Sequence, residues 1–204
     1  MSDNNYVQRR RSFIFCPGNK PELLTKALNS GADMVCVDLE DAIIPQHKDI
    51  SRSKTLEAFK TASVPKGIET LIRINDINSE DGFKDIEALS SASNLPSGLM
   101  LPKIKTAEEI QKLNNRFIDA NININLHVII ETNQGLKNVW EIAHSCSSIK
   151  SLLFGGVDMS ADLGCLGDWT SLLYARSWVV HAAAGAGIDS IDVPFLDLDN
   201  MEGL

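Results

Sequence analysis

The chain has 204 residues, 44% of them hydrophobic, enough to bury one substantial core but short for two independent catalytic domains. Its net charge of −8 argues against a nucleic-acid partner, because phosphate neutralisation requires a basic surface. The longest apolar runs are strand-sized, far below the ~20 residues that cross a bilayer, and Met1-Ser2-Asp3-Asn4-Asn5 lacks the hydrophobic region of a secretory signal, so no membrane association and a cytoplasmic location are expected.

Short apolar or β-branched runs recur along the chain at 13–15, 34–39, 71–74, 99–101, 127–130, 152–154 and 190–193, each followed by a turn and a helix-like stretch. Their spacing is that of βα units, and continuously apolar strands suit a parallel sheet covered on both faces. After the first run the turn reads Cys16-Pro17-Gly18-Asn19-Lys20, not the glycine pattern of a dinucleotide fold. Pro21 suits a first helical turn, and Gly31 would close a helix over 22–30. Further on, Thr106 and Glu109 have capping-box spacing ahead of a periodic stretch reaching Phe117. A long apolar-rich helix is expected over 171–184, ended by Gly185 and Gly187.

Alternation of this kind fits a (β/α)8 barrel or an open doubly wound sheet, and the missing glycine fingerprint favours the barrel. The expectation is therefore an α/β TIM-type barrel forming a single domain over residues 1–204. A complete barrel takes about 250 residues. With seven strands visible, an eighth strand and C-terminal helices are expected to lie beyond this sequence.

Cys16, Cys36, Cys146 and Cys165 form no Cys-x-x-Cys pair and read as reduced thiols. His47, His127, His144 and His181 show no paired ligand spacing and read as surface or packing residues.

Barrel enzymes work at the carboxyl ends of their strands. Polar residues gather there: Asp38-Leu39-Glu40-Asp41, Arg73-Ile74-Asn75, Pro102-Lys103, Glu131-Thr132 and Gly155-Gly156-Val157-Asp158. Asp41 or Asp158 alone could equally cap the next helix. Glutamate is a poor cap, however, and Glu131 ends a run that reads as buried, where an unpaired carboxylate costs several kcal/mol. Oxygen ligands from Glu131 and Asp158, completed by water, suit Mg²⁺. Gly155-Gly156 either lets a ligand approach the backbone or makes a tight strand-to-helix turn.

These residues, together with Arg10-Arg11-Ser12-Phe13, Pro17-Gly18-Asn19, Gly31-Ala32-Asp33, Leu101-Pro102-Lys103, Asp158-Met159-Ser160-Ala161-Asp162-Leu163-Gly164 and Leu173-Tyr174-Ala175-Arg176-Ser177, resemble the citrate lyase beta-subunit-like branch of the HpcH/HpaI aldolase superfamily. The resemblance covers nearly the whole chain. It implies a TIM barrel in a homotrimer or larger homo-oligomer, an Mg²⁺ cofactor held by Glu131 and Asp158, and cleavage or formation of a C–C bond in a CoA or acyl-carrier thioester. It implies that Arg73 binds the substrate carboxylate or oxyanion, and that Glu40 and Asp41 organise metal-bound water or the reacting end of the substrate. The base is Glu40 or an aspartate from a segment beyond residue 204.

On this reading Arg73, Glu40 and Asp41 are the catalytic candidates. Gly156, Asn19, Lys20 and Arg11 join Arg73 in substrate binding, with the CoA pyrophosphate over the first βα turn; Arg11 reads equally as solvated surface. Four alternatives stay open: a CoA-independent 2-oxo acid aldolase, a malyl-CoA-type thioesterase, a Schiff-base enzyme using Lys103, and a non-catalytic truncated binding subunit.

Overall fold

A computed structural model describes residues 7–197 and 199–202; the amino-terminal residues read above for a signal lie outside them. The elements alternate as β1 (Phe13–Pro17), α1 (Glu22–Leu28), β2 (Met34–Asp38), α2 (Lys48–Thr61), β3 (Glu69–Arg73), α3 (Glu80–Ser90), β4 (Gly98–Leu101), α4 (Ala107–Asp119), β5 (Asn125–Ile130), α5 (Asn133–Lys137), α6 (Val139–Ala143), β6 (Ile149–Phe154), α7 (Gly156–Leu163), α8 (Trp169–Ala186) and β7 (Asp189–Ile191). All strand pairs are parallel, and the sheet order β1-β2-β3-β4-β5-β6-β7 follows the chain.

The period of two along each strand sorts the side chains into two cores. Met34, Cys36, Leu71, Met100, Ile129 and Leu153, with Phe13 and Ile191 packed against them, form one cluster drawn from all seven strands. Alternate residues such as Val35, Val37, Ile72, Leu99, Val128, Ile130 and Leu152 join the helix side chains Leu24, Phe59, Ile86, Ile110, Phe117 and Val179 in the other. A sheet whose first and last strands share one inner cluster is curled on itself, as in a TIM-type barrel.

Arg10, just before β1, strengthens that closure. Its guanidinium holds Glu69 at the start of β3 and, 2.6 Å away, Asp189 at the start of β7. The barrel floor around it is polar and buried. His127 Nδ1 lies 2.8 Å from Ser151 Oγ, and its Nε2 lies 3.3 Å from Glu69. Burial works to raise the Glu69 pKa, but contact with His127 and Arg10 outweighs it and holds the carboxyl at about 2.

Local signals decide several helix ends. The Thr106–Glu109 capping box is present, and Gly187 ends α8 in the left-handed region at φ 68. Two expectations shift. Helix α1 stops at Leu28 with Asn29 as its cap, leaving Gly31, at φ 86, in the following turn. Gly185 lies inside α8 and packs against Trp140, where a Cβ would come within 2.5 Å of the indole. All four cysteines are free thiols. No helix among the described residues is long and apolar enough to cross a membrane.

Candidate active site

The carboxyl ends of β2 to β6 converge on one rim. Asp38 and Arg73, the last residues of β2 and β3, are partners in the strand register. Their side chains form a two-pronged pair, Nε to Oδ1 at 2.8 Å and Nη2 to Oδ2 at 2.6 Å. Asp38 Oδ1 and Oδ2 also accept from the Glu40 and Ala42 N–H groups, which folds the loop after β2 back over the rim. That fold brings Glu40 Oε2 to 3.2 Å and Asp41 Oδ2 to 3.4 Å from Arg73 Nη1. The Phe15 ring lies 5.4 Å from the guanidinium carbon. Burial works against the Arg73 charge, but Asp38, Glu40 and Asp41 more than offset it and hold the group protonated.

Lys103 links this cluster to the next strand. Its Nζ lies 2.7 Å from Glu40 Oε1, and its backbone N–H donates to Glu131 Oε1 at 2.8 Å. Glu131 is only 4% exposed. Burial, then the negative charges of Glu40 and Asp158, push its carboxyl up to about 8 against the pull of Lys103. Glu40 is raised too, chiefly by burial, with Lys103 and Arg73 opposing.

Asp158 is exposed in the first turn of α7, where the helix dipole favours a carboxylate. It borders a cavity of about 350 Å³ together with Glu131, Asp76, Lys103, Lys105 and Asp162. Among the described residues no three His, Cys, Asp or Glu side chains converge as a ready-made metal cage.

The structure thus brings Arg73, Glu40, Asp41, Glu131 and Asp158 to one rim. It does not bring Arg11 there. Arg11 precedes β1 and pairs with Asp33, which precedes β2, at the opposite, amino-terminal rim. Sequence adjacency to the first βα turn does not carry Arg11 to the other rim, because β1 crosses the barrel and five extended residues span roughly 16 Å.

Gly156 stands just past the carboxyl end of β6, on the same rim as the carboxylates. It opens α7, buried, and a Cβ there would meet Phe154 and Val193 at 3.2 and 3.3 Å. The room left by Gly155 is occupied by Glu131, whose Cβ lies 2.5 Å from where a Gly155 Cβ would stand. At both glycines the strand-to-helix turn leaves little room for a side chain. Asn19 and Lys20 follow β1 on the same rim, but no hydrogen bond joins their side chains to the carboxylates among the described residues.

Two contributors went unassigned in the sequence. Asp38, the strongest partner of Arg73, was legible only as part of an acidic run. Lys48, whose Nζ binds the Leu39 and Glu40 carbonyls and Asn75 Oδ1 at 2.6 to 2.8 Å, left no sequence signal.

The HpcH/HpaI aldolase/citrate lyase family model matches residues 11–204. The chain is 30% identical to the mitochondrial citramalyl-CoA lyase of Rattus norvegicus over 223 residues, covering 100% of this chain and 64% of that protein. It is 31% identical to the citrate lyase subunit beta of Leuconostoc mesenteroides subsp. cremoris over 208 residues, covering 98% and 68%. Among solved structures, the citrate lyase beta subunit from M. tuberculosis complexed with oxaloacetate and magnesium superposes with a TM-score of 0.78 at 27% identity, covering 95% of this chain and 84% of that one.

Proposed function

We propose that this chain, which belongs to the HpcH/HpaI aldolase/citrate lyase family, is a Mg²⁺-dependent carbon–carbon lyase acting on a 3-hydroxyacyl thioester of the citramalyl, malyl or citryl kind. The observation that carries the reading is the excess of carboxylate at the rim. Glu131 sits in one cavity with Asp158, and its carboxyl is pushed up to about 8 by burial and by neighbouring negative charge. A divalent cation with a preference for hard oxygen donors would relieve that repulsion, and two carboxylates leave room for water and substrate. The relatives named citramalyl-CoA lyase and citrate lyase subunit beta, and the magnesium and oxaloacetate in the M. tuberculosis structure, support the same class.

Glu131 and Asp158 would hold the ion, which when bound supplies Lewis acidity and a template for a 2-oxo or 2-hydroxy acid. The chain's own residues supply the rest. Arg73, fixed by Asp38, presents a locked guanidinium to the negative oxygen that develops as the bond breaks. Glu40, raised by burial, takes the hydroxyl proton as the C–C electrons pass to the thioester enolate. The proton that Glu40 took then passes to the enolate carbon, which restores the Glu40 carboxylate. Asp41 braces Arg73 from the solvent side.

A Schiff-base role for Lys103 is disfavoured, because Glu40 raises its pKa and a nucleophilic amine must be neutral. Mass-spectrometric screening of citramalyl-, malyl- and citryl-thioesters with added Mg²⁺ tests the proposal. Turnover lost with EDTA and with Arg73→Ala supports it. Turnover that survives either change, or a borohydride adduct at Lys103, overturns it.

A further inference from the structure

Lys103 holds an unusual backbone. Its φ of 57 puts a long, charged side chain in the left-handed region, where glycine is the favoured residue. Such conformations persist when the surroundings over-determine them, and they gather at functional sites. Here both ends of the residue are engaged. The main-chain N–H, turned by that φ, donates to Glu131 Oε1 at 2.8 Å, and the ammonium reaches Glu40 Oε1 at 2.7 Å. A glycine would make the first contact without strain and could not make the second.

We propose that Lys103 is a positioning residue with two separable tasks: its main chain orients the metal-side carboxylate of Glu131, and its ammonium fixes the proton-handling carboxylate of Glu40. The inference rests on the lyase reading of the site. Glu40 has no comparable second anchor for its Oε1, since Arg73 meets Oε2. With the ammonium removed, the Glu40 carboxylate is free to rotate toward Arg73 alone. Glu131 keeps its hydrogen bond, because any residue except proline supplies the N–H.

The test compares the wild type with Lys103→Met, Lys103→Arg, Lys103→Gly and Lys103→Ala. Mn²⁺ affinity is read by electron paramagnetic resonance, turnover by thioester cleavage, and stability by thermal melting. Mn²⁺ affinity stays within about threefold for Met and Gly, while kcat falls at least thirtyfold with KM little changed; Arg restores a substantial part of kcat. Lys103→Gly melts higher than Lys103→Ala, because only the alanine keeps a Cβ in the left-handed region.

Wild-type kcat in Lys103→Met, or Mn²⁺ affinity that falls in step with kcat, overturns the division of tasks. Equal melting of the Gly and Ala variants overturns the backbone half. A wild-type protein that binds no Mn²⁺ or cleaves no thioester sinks the lyase reading, whereas a wild type that does both while the variants behave alike sinks this inference alone.

Discussion

Replacing Glu131 with glutamine removes a charge and keeps the shape. The side chain is buried, and its carboxyl is pushed from 4.5 to about 8, so folding favours the neutral acid. The sign follows from the raised value. Stabilisation by the neutral form is complete below the unfolded pKa near 4.5 and is lost as pH rises through about 8. At about 1.4 kcal/mol per pKa unit, the ionised carboxylate costs the metal-free protein roughly 4 to 5 kcal/mol at pH above 8 and roughly 3 at pH 7. The glutamine keeps an oxygen for the Lys103 N–H. It introduces an amide NH2 whose incomplete pairing costs about 1 to 3 kcal/mol. The charge term wins at high pH, leaving Glu131→Gln more stable by about 2 kcal/mol, or several °C in Tm. Melting in EDTA across pH 4.5 to 8.5 checks this. The variant should melt lower than the wild type at pH 4.5, where only the amide penalty remains, and higher at pH 8.5, where the charge cost exceeds it, while the variant loses Mn²⁺ binding. A variant that melts lower than the wild type at pH 8.5 refutes the argument that Glu131 is an uncompensated buried carboxylate.

The same protonation governs metal affinity. A proton competes for Glu131 below about 8, so apparent Mn²⁺ affinity should fall by up to about tenfold per pH unit between 8 and 6, and a flat profile contradicts the assignment. Gly155→Ala places a Cβ 2.5 Å from the Glu131 Cβ and 2.7 Å from its Oε2; overpacking should cost about 1 to 3 kcal/mol and weaken Mn²⁺ binding, as melting and calorimetry would show. Arg10→Met leaves the buried Glu69 carboxylate without its cation and should cost about 3 to 5 kcal/mol in chemical denaturation, with a loss under 1 kcal/mol marking the ion pair as dispensable.

The barrel was legible in the sequence because its signal is local. Apolar runs and the Thr106 capping box state where strands and helices fall, and six of the expected strands overlap the observed ones closely. Strand β7, short and partly exposed, lies one to two residues earlier than expected. The rim residues Glu40, Asp41, Arg73 and Glu131 could be read from strand ends alone. Pairings across strands could not. That Asp38 faces Arg73 depends on register, and that Lys103 reaches two carboxylates depends on a φ value that no pattern of residue types encodes. The sixth strand ends at Phe154 as expected, but α7 begins already at Gly156, so Asp158 lies inside the first helical turn; a Gly-Gly pair ahead of a carboxylate suits a turn or a helix start equally well.

The order of strands in the sheet matters for how the molecule comes into being. Each strand lies beside its predecessor, so a nascent chain leaving the ribosome can lay down one βα unit after another, with only short loops to close at each step. Arg10 is the exception, since its second acid, Asp189, is translated 179 residues later. Its first acid, Glu69, arrives 59 residues after it and lies deeper in the barrel. The guanidinium can therefore be neutralised early, while the sheet is still growing, and the arrival of β7 adds a second partner to a cation already in place.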